Sequence, residues 1–238
     1  MHEYYKKKSA KLKKTMRSFL KHLKPELEAE LQMPFDEILE DIWEVYYHKY
    51  MENFPYIGGD KISGTSNLTG AYCYVAMGDV VRRHGISLER WGELTTIGYR
   101  RFFEQFPSFL RSLVRKLITN PKIAKKVLSK KDIKNAANVK VNPDSFVTEL
   151  QPNPTKDLIE FHNITCPLAA FAVKMNCTEY MPYICNLDYV MFEALQVPFY
   201  REKTCAAGDA YCDFKMKPGA PIVPAWPCHG INPEDPLK

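Results

Sequence analysis

The sequence contains no run of about 18 apolar residues, the length that a membrane-spanning helix needs, so no helical span is expected. Its opening stretch, MHEYYKKKSAKLKK, has no apolar segment behind its charges. No secretory signal is therefore expected, and the reading is a cytoplasmic protein. No CxxC pair occurs, which argues against a zinc ribbon or a thioredoxin-type site. HExxH, GxSxG, Walker and GxGxxG motifs are absent, the six histidines stand singly, and no internal repeat is found. The cysteines are Cys73, Cys166, Cys177, Cys185, Cys205, Cys212 and Cys228. An odd number without a signal argues against a disulfide framework. Taken singly, each is first a small buried hydrophobe.

What is present suits an ordinary core. The chain has 238 residues, 45% of them hydrophobic, with 33 Lys+Arg against 28 Asp+Glu, which excludes intrinsic disorder. The charge is uneven. Residues 1–24 hold nine basic side chains and one acid, Glu3; residues 111–134 hold nine more against Asp132 alone. The plain reading of such blocks is a solvated face paired with acidic neighbours such as the stretch from Glu26 to Glu44. Nucleic acid is not expected as a partner, because aromatic interleaving and groove-reading motifs are missing.

Helical spacing predicts helices over Tyr4–Leu31 (interrupted at Pro25), Phe35–Met51, Ala71–His84, Ser87–Phe103 with Ser87 as N-cap, and Ser108–Ser129 (broken near Pro121). Asn53–Gly70, with Gly58, Gly59, Gly64 and Gly70, reads as a loop. Period-two alternation predicts strands over Ser145–Leu150 and Lys156–Asn163, joined at Pro152-Asn153-Pro154. Helices follow from Cys166-Pro167 to Met175 and over Thr178–Leu195, then strands over Val197–Cys205 and Asp209–Lys217. The expected fold is α+β: a helical N-terminal layer on a small antiparallel sheet carrying two helices. One domain covers residues 1–217, mainly helical to 135 and sheet-containing from 143. A Pro-rich tail takes up 218–238. The amphipathic N-terminal helix is compatible with a homo-oligomer.

Six of the seven cysteines follow residue 165, which places the chemistry there. His162 and Cys166 stand four apart across a strand-to-helix junction; Cys185 and Asp188 share one helix face. Arg201, Thr204, Asp209 and Cys212 flank one hairpin. By spacing alone, Arg201 is more often a salt-bridge partner and Asp209 a turn residue.

The run Arg201-Glu202-Lys203-Thr204-Cys205-Ala206-Ala207-Gly208-Asp209-Ala210-Tyr211-Cys212-Asp213-Phe214 resembles the C-terminal signature of the L-2-amino-thiazoline-4-carboxylic acid hydrolase family. Cys166-Pro167, Cys185-Asn186-Leu187-Asp188 and Asn67-Leu68-Thr69 are similar to that family's other elements, so the resemblance runs from about residue 60 to 217. Cys205 is an extra thiol within the signature, and the tail has no counterpart. The resemblance implies hydrolytic opening of a small cyclic thioimidate or amidine, as in conversion of the thiazoline to N-carbamoyl-L-cysteine. Arg201 is then the carboxylate clamp, with Thr204, Asp209, Cys212 and Asn67 as further substrate contacts. Cys166, at a helix N-terminus, is the expected nucleophile, and His162 or Asp188 the base. Three alternatives stay open, one of them a nucleic-acid or membrane-associated protein that uses the basic blocks. A divalent zinc or manganese ion would be held by Cys166, Cys185 and Cys212, with Asp188 or His162. A non-catalytic sensor domain of the 4-vinyl-reductase type would use the same pocket to bind a small molecule.

Overall fold

Breaks in helical spacing shape the N-terminal half. In a computed structural model, which describes residues 1–152 and 157–229, Glu3–Leu20 forms α1 and Lys24–Leu31 forms α2. Pro25 sits in the first turn of α2, where its missing N–H costs nothing. Phe35–Val45 (α3) continues through a π-helical turn at Tyr46–Tyr50, whose Lys49 and Tyr50 both bond Asp79 at 2.7 Å.

The loop expected over 53–70 ends early. Gly58 and Gly59 do take positive φ, but α4 begins at Ser63 and runs to Arg83. Gly64 and Gly70 are helical. A Cβ at Gly64 would run into the ring of Phe146, so this glycine marks close packing and not a turn. Residues such as Leu68, Tyr72, Tyr74, Val75 and Met77 are buried around α4, which is the axis of the helical layer. Leu88–Glu104 (α5) starts as expected, with the Ser87 hydroxyl accepting the Arg90 N–H at 3.1 Å. Ser108–Ile118 (α6) and Pro121–Val139 (α7) follow. The second runs ten residues past Ser129. Its last turns are fastened by polar contacts and not by an apolar stripe: Asp132 accepts the Leu150 N–H at 2.7 Å, and Asn135 donates to Thr148 at 3.0 Å.

Val147–Leu150 (β1) and Ile159–Thr165 (β2) form the expected antiparallel pair, although Asn153 and Pro154 of its turn lie outside the described residues. Pro167–Lys174 (α8) and Met181–Ala194 (α9) precede Phe199–Tyr200 (β3) and Cys212–Met216 (β4). The sheet order is β1-β2-β4-β3, with every pairing antiparallel. The architecture is α+β, as expected. β3 is shorter than predicted because the chain turns away at Arg201. There the buried Asp213 carboxylate accepts the Glu202 and Lys203 N–H groups at 3.0 and 2.6 Å in place of a ladder.

One face of the sheet carries Phe161, Phe214 and Phe199, whose rings pack in series, with Tyr189 and Phe192 of α9 against Phe199. The segment after Pro218 forms no regular element among its described residues. It nevertheless packs on α9: buried Asn186 donates to the Ala225 carbonyl at 2.7 Å and accepts the His229 N–H at 3.2 Å.

Candidate active site

Between the sheet's aromatic face, α4 and α9 lies a cavity of about 320 Å³. Its polar lining comes from separate elements: Asn67 and Tyr74 from α4, Asn163 from β2, Cys166 ahead of α8, Cys185 and Asp188 from α9, Arg201 after β3, and Cys212 from β4. Phe19, Tyr99, Phe146 and Met191 supply apolar wall.

Period two decides which strand residues enter. Asn163 pairs with Cys212 and Phe161 with Phe214, and of these Asn163, Cys212 and Phe214 line the cavity. His162, one residue on, pairs with Asp213, stacks on Tyr211 at 4.1 Å and bonds Glu160 at 3.0 Å. It does not line the cavity. Thr204 and Asp209 do not line it either. Asp209 accepts the Thr204 N–H at 2.8 Å, and the Thr204 hydroxyl accepts the Ala207 N–H at 3.1 Å, so both close the turn that ends in Gly208 at positive φ. Of the residues singled out in the sequence, the structure gathers Asn67, Cys166, Cys185, Asp188, Arg201 and Cys212.

Arg201 is the buried charge of the site. Its guanidinium donates to Asp188 at 2.7 Å and to the Cys185 carbonyl at 2.8 Å, and lies 5.2 Å from the centre of the Phe214 ring. Burial opposes its charge, but Asp188 and the thiols of Cys185 and Cys212 outweigh that, and the group is held above its ordinary pKa. Tyr189 fixes its backbone twice, accepting the Arg201 N–H at 2.9 Å and donating to the Arg201 carbonyl at 3.0 Å.

The thiols divide sharply. Cys212 is drawn down to about 6, first by the hydrogen bond from Cys166, then by the Cys205 N–H at 3.2 Å and the nearby Arg201 charge, against the cost of burial. Cys166 moves up, because its proton is shared toward Cys212 and its surroundings are apolar. Burial also lifts Cys185 and Cys205 to about 12. The expected lowering at Cys166 is thus reversed: it caps the short helix α8, but its thiol serves as donor to Cys212. Among the described residues, no group of three or more Cys, His, Asp or Glu side chains is placed to hold a metal ion.

Two lining groups, Tyr74 and Asn163, and a third residue that does not line the cavity, Lys131, are not among those the sequence singles out. Tyr74 is buried with its hydroxyl unpaired among the described residues, and burial keeps it protonated. Its spacing from Asn67, Gly70 and Ala71 is i, i+3, i+4, i+7, one helix face, which the loop reading of 53–70 concealed. Asn163 accepts the Thr148 hydroxyl at 3.0 Å through Oδ1, leaving Nδ2 without a protein partner among the described residues. Lys131 of α7 lies 5.6 Å from the Phe161 ring centre; burial lowers its pKa, opposed by Asp132 and Asp188.

Residues 103–216 match the family model of L-2-amino-thiazoline-4-carboxylic acid hydrolase. This is the family whose signature the sequence resembles. The matched span is shorter than the resemblance at its N-terminal end: it takes in α6 to β4 and leaves Phe19, Asn67 and Tyr74 outside. The thiol-bearing wall therefore belongs to the part that matches the hydrolase family, and the α4 wall to the part that does not. No curated protein and no solved structure matches the chain. Among the described residues, no helix is long and apolar enough to cross a membrane.

Proposed function

We propose that this protein is a hydrolase that opens a small cyclic amidine bearing a carboxylate, of the kind the family is named for, with Cys212 as nucleophile. The observation that carries the reading is the placement of Cys212: a thiol in a cavity wall, hydrogen-bonded by Cys166 and by a backbone N–H, close to a buried arginine. Such surroundings favour the reactive thiolate.

With L-2-amino-thiazoline-4-carboxylate as substrate, the Cys212 sulfur attacks C2 and forms a C–S bond. The C2–S1 bond then breaks, and the ring sulfur leaves as a thiolate that takes a proton from the neighbouring Cys166 thiol or from solvent. The enzyme now carries an isothiourea on Cys212. Water adds to the same carbon, the bond to Cys212 breaks, and N-carbamoyl-L-cysteine departs as the Cys212 thiolate is restored. Asp188 pairs with the cationic amidine. Tyr74, the Asn163 amide and the N–H groups of Arg201 not used by Asp188 and Cys185 take the carboxylate. A sensor would need only an apolar, aromatic lining; the convergence of Asp188, Arg201 and a thiolate supports an enzyme instead.

The test is release of new thiol from the thiazoline, read colorimetrically after protein removal. Wild type releases thiol, Cys212→Ser loses turnover by roughly a thousandfold or more, and Cys166→Ser retains a larger share. Unchanged turnover in Cys212→Ser removes the nucleophile assignment. Absence of release by the wild-type protein removes this substrate.

A further inference from the structure

The two basic blocks behave differently in the fold. Four of the nine basic residues of the N-terminal one are paired: Lys8 with Asp60, Lys13 with Glu40, Arg17 with Asp36 and Lys24 with Glu28. Among the described residues, none of the nine lysines and arginines from Arg111 to Lys134 forms an ion pair with an acidic side chain. The block's one acid, Asp132, is turned to the Leu150 N–H.

The same segment exposes its apolar side chains. α6 buries none of its residues. At 100° per residue, Phe109, Leu113, Leu117, Leu110, Val114 and Ile118 fill one half of its circumference, and Arg111, Arg115 and Lys116 fall on the other. Phe109 is 67% exposed, Leu113 52%, and Val127 on α7 59%. An aromatic run joins this face to the cavity wall: Phe106 meets Phe102 at 5.8 Å, and Phe102 meets Phe19 at 4.8 Å.

We propose that α6 and the start of α7 form a docking face for bilayers rich in anionic phospholipid. An apolar half-cylinder flanked by unpaired lysines and arginines matches acyl chains below and phosphate groups above. A second copy fits less well, since it would set two unpaired basic blocks against each other. Nucleic acid would meet the lysines but leave Phe109 and Leu113 facing phosphate.

The full chain is sedimented with vesicles of phosphatidylcholine alone and of equal parts phosphatidylcholine and phosphatidylserine. Wild type pellets with the mixed vesicles at low salt and is released as salt rises. Lys126→Gln and Lys130→Gln each weaken binding roughly fivefold. Phe109→Asp combined with Leu113→Asp abolishes binding, while circular dichroism stays that of wild type. Equal pelleting with phosphatidylcholine alone, or none with mixed vesicles, overturns the proposal. So does a stable dimer that the Phe109→Asp, Leu113→Asp variant breaks, or duplex DNA binding that this variant leaves intact.

Discussion

Tyr74 is an unusual residue to bury, because its hydroxyl has no protein partner among the described residues. A buried, unsatisfied O–H destabilises a fold, so Tyr74→Phe is expected to leave thermal stability unchanged or raised. If the hydroxyl meets the substrate carboxylate, the same change raises KM about tenfold with kcat nearly kept. Measuring melting temperature and steady-state kinetics together separates these effects; a lower melting temperature with unchanged KM would give Tyr74 a purely structural part. Cys212 makes a second expectation at this scale. If the Cys212 thiolate is the nucleophile, as proposed, the drawing down of its pKa to about 6 makes kcat/KM rise with pH through about 6 and fall away below it. Part of that lowering comes from the Arg201 charge, so Arg201→Gln moves the acidic limb to higher pH. A limb that stays in place in this variant would separate Arg201 from the thiolate.

Between elements, the decisive contacts are close approaches. At Gly92 of α5 a Cβ would enter the ring of Tyr183 on α9. Gly92→Ala is therefore expected to destabilise the protein by about 1–3 kcal/mol, read from urea unfolding; a stability equal to wild type would mean that the two helices part without cost. Such glycines also explain what was legible beforehand. The caps and prolines that end helices were readable: Ser87, Pro25 and Pro167 all stand at helix starts. Gly64 reads as part of a loop in the sequence, since a glycine needed for packing looks the same as one needed for a turn. The extension of α7 was invisible for another reason: Asp132 and Asn135 anchor it through hydrogen bonds, which leave no apolar period. On β2, choosing between His162 and its neighbour Asn163 required the register against β4, and alternation alone does not say which face is inward.

At the scale of the molecule, the cavity joins two unlike halves. The wall bearing Cys166, Cys185, Asp188, Arg201 and Cys212 falls within residues 103–216, which match the hydrolase family, and most of it was legible from motif spacing. The opposing wall, with Asn67 and Tyr74 on α4, lies outside that span. A reaction set by the first wall and a substrate choice set by the second would keep chemistry and specificity on separate elements. Charge divides in a similar way. Composition revealed two basic blocks of equal size, but only the fold shows that the acids of α2 and α3 serve the first and leave the second uncompensated.

The division among the thiols reaches beyond catalysis. Five of them, Cys73, Cys166, Cys177, Cys185 and Cys205, are pushed above the ordinary range, and Cys212 is pushed below it. Toward a small alkylating reagent at neutral pH, those six differ in ionised fraction by several orders of magnitude. A dye, spin label or heavy-atom mercurial small enough to enter the cavity would then mark Cys212 ahead of those five in the unmutated chain. The cavity could be given a reporter without first removing those cysteines.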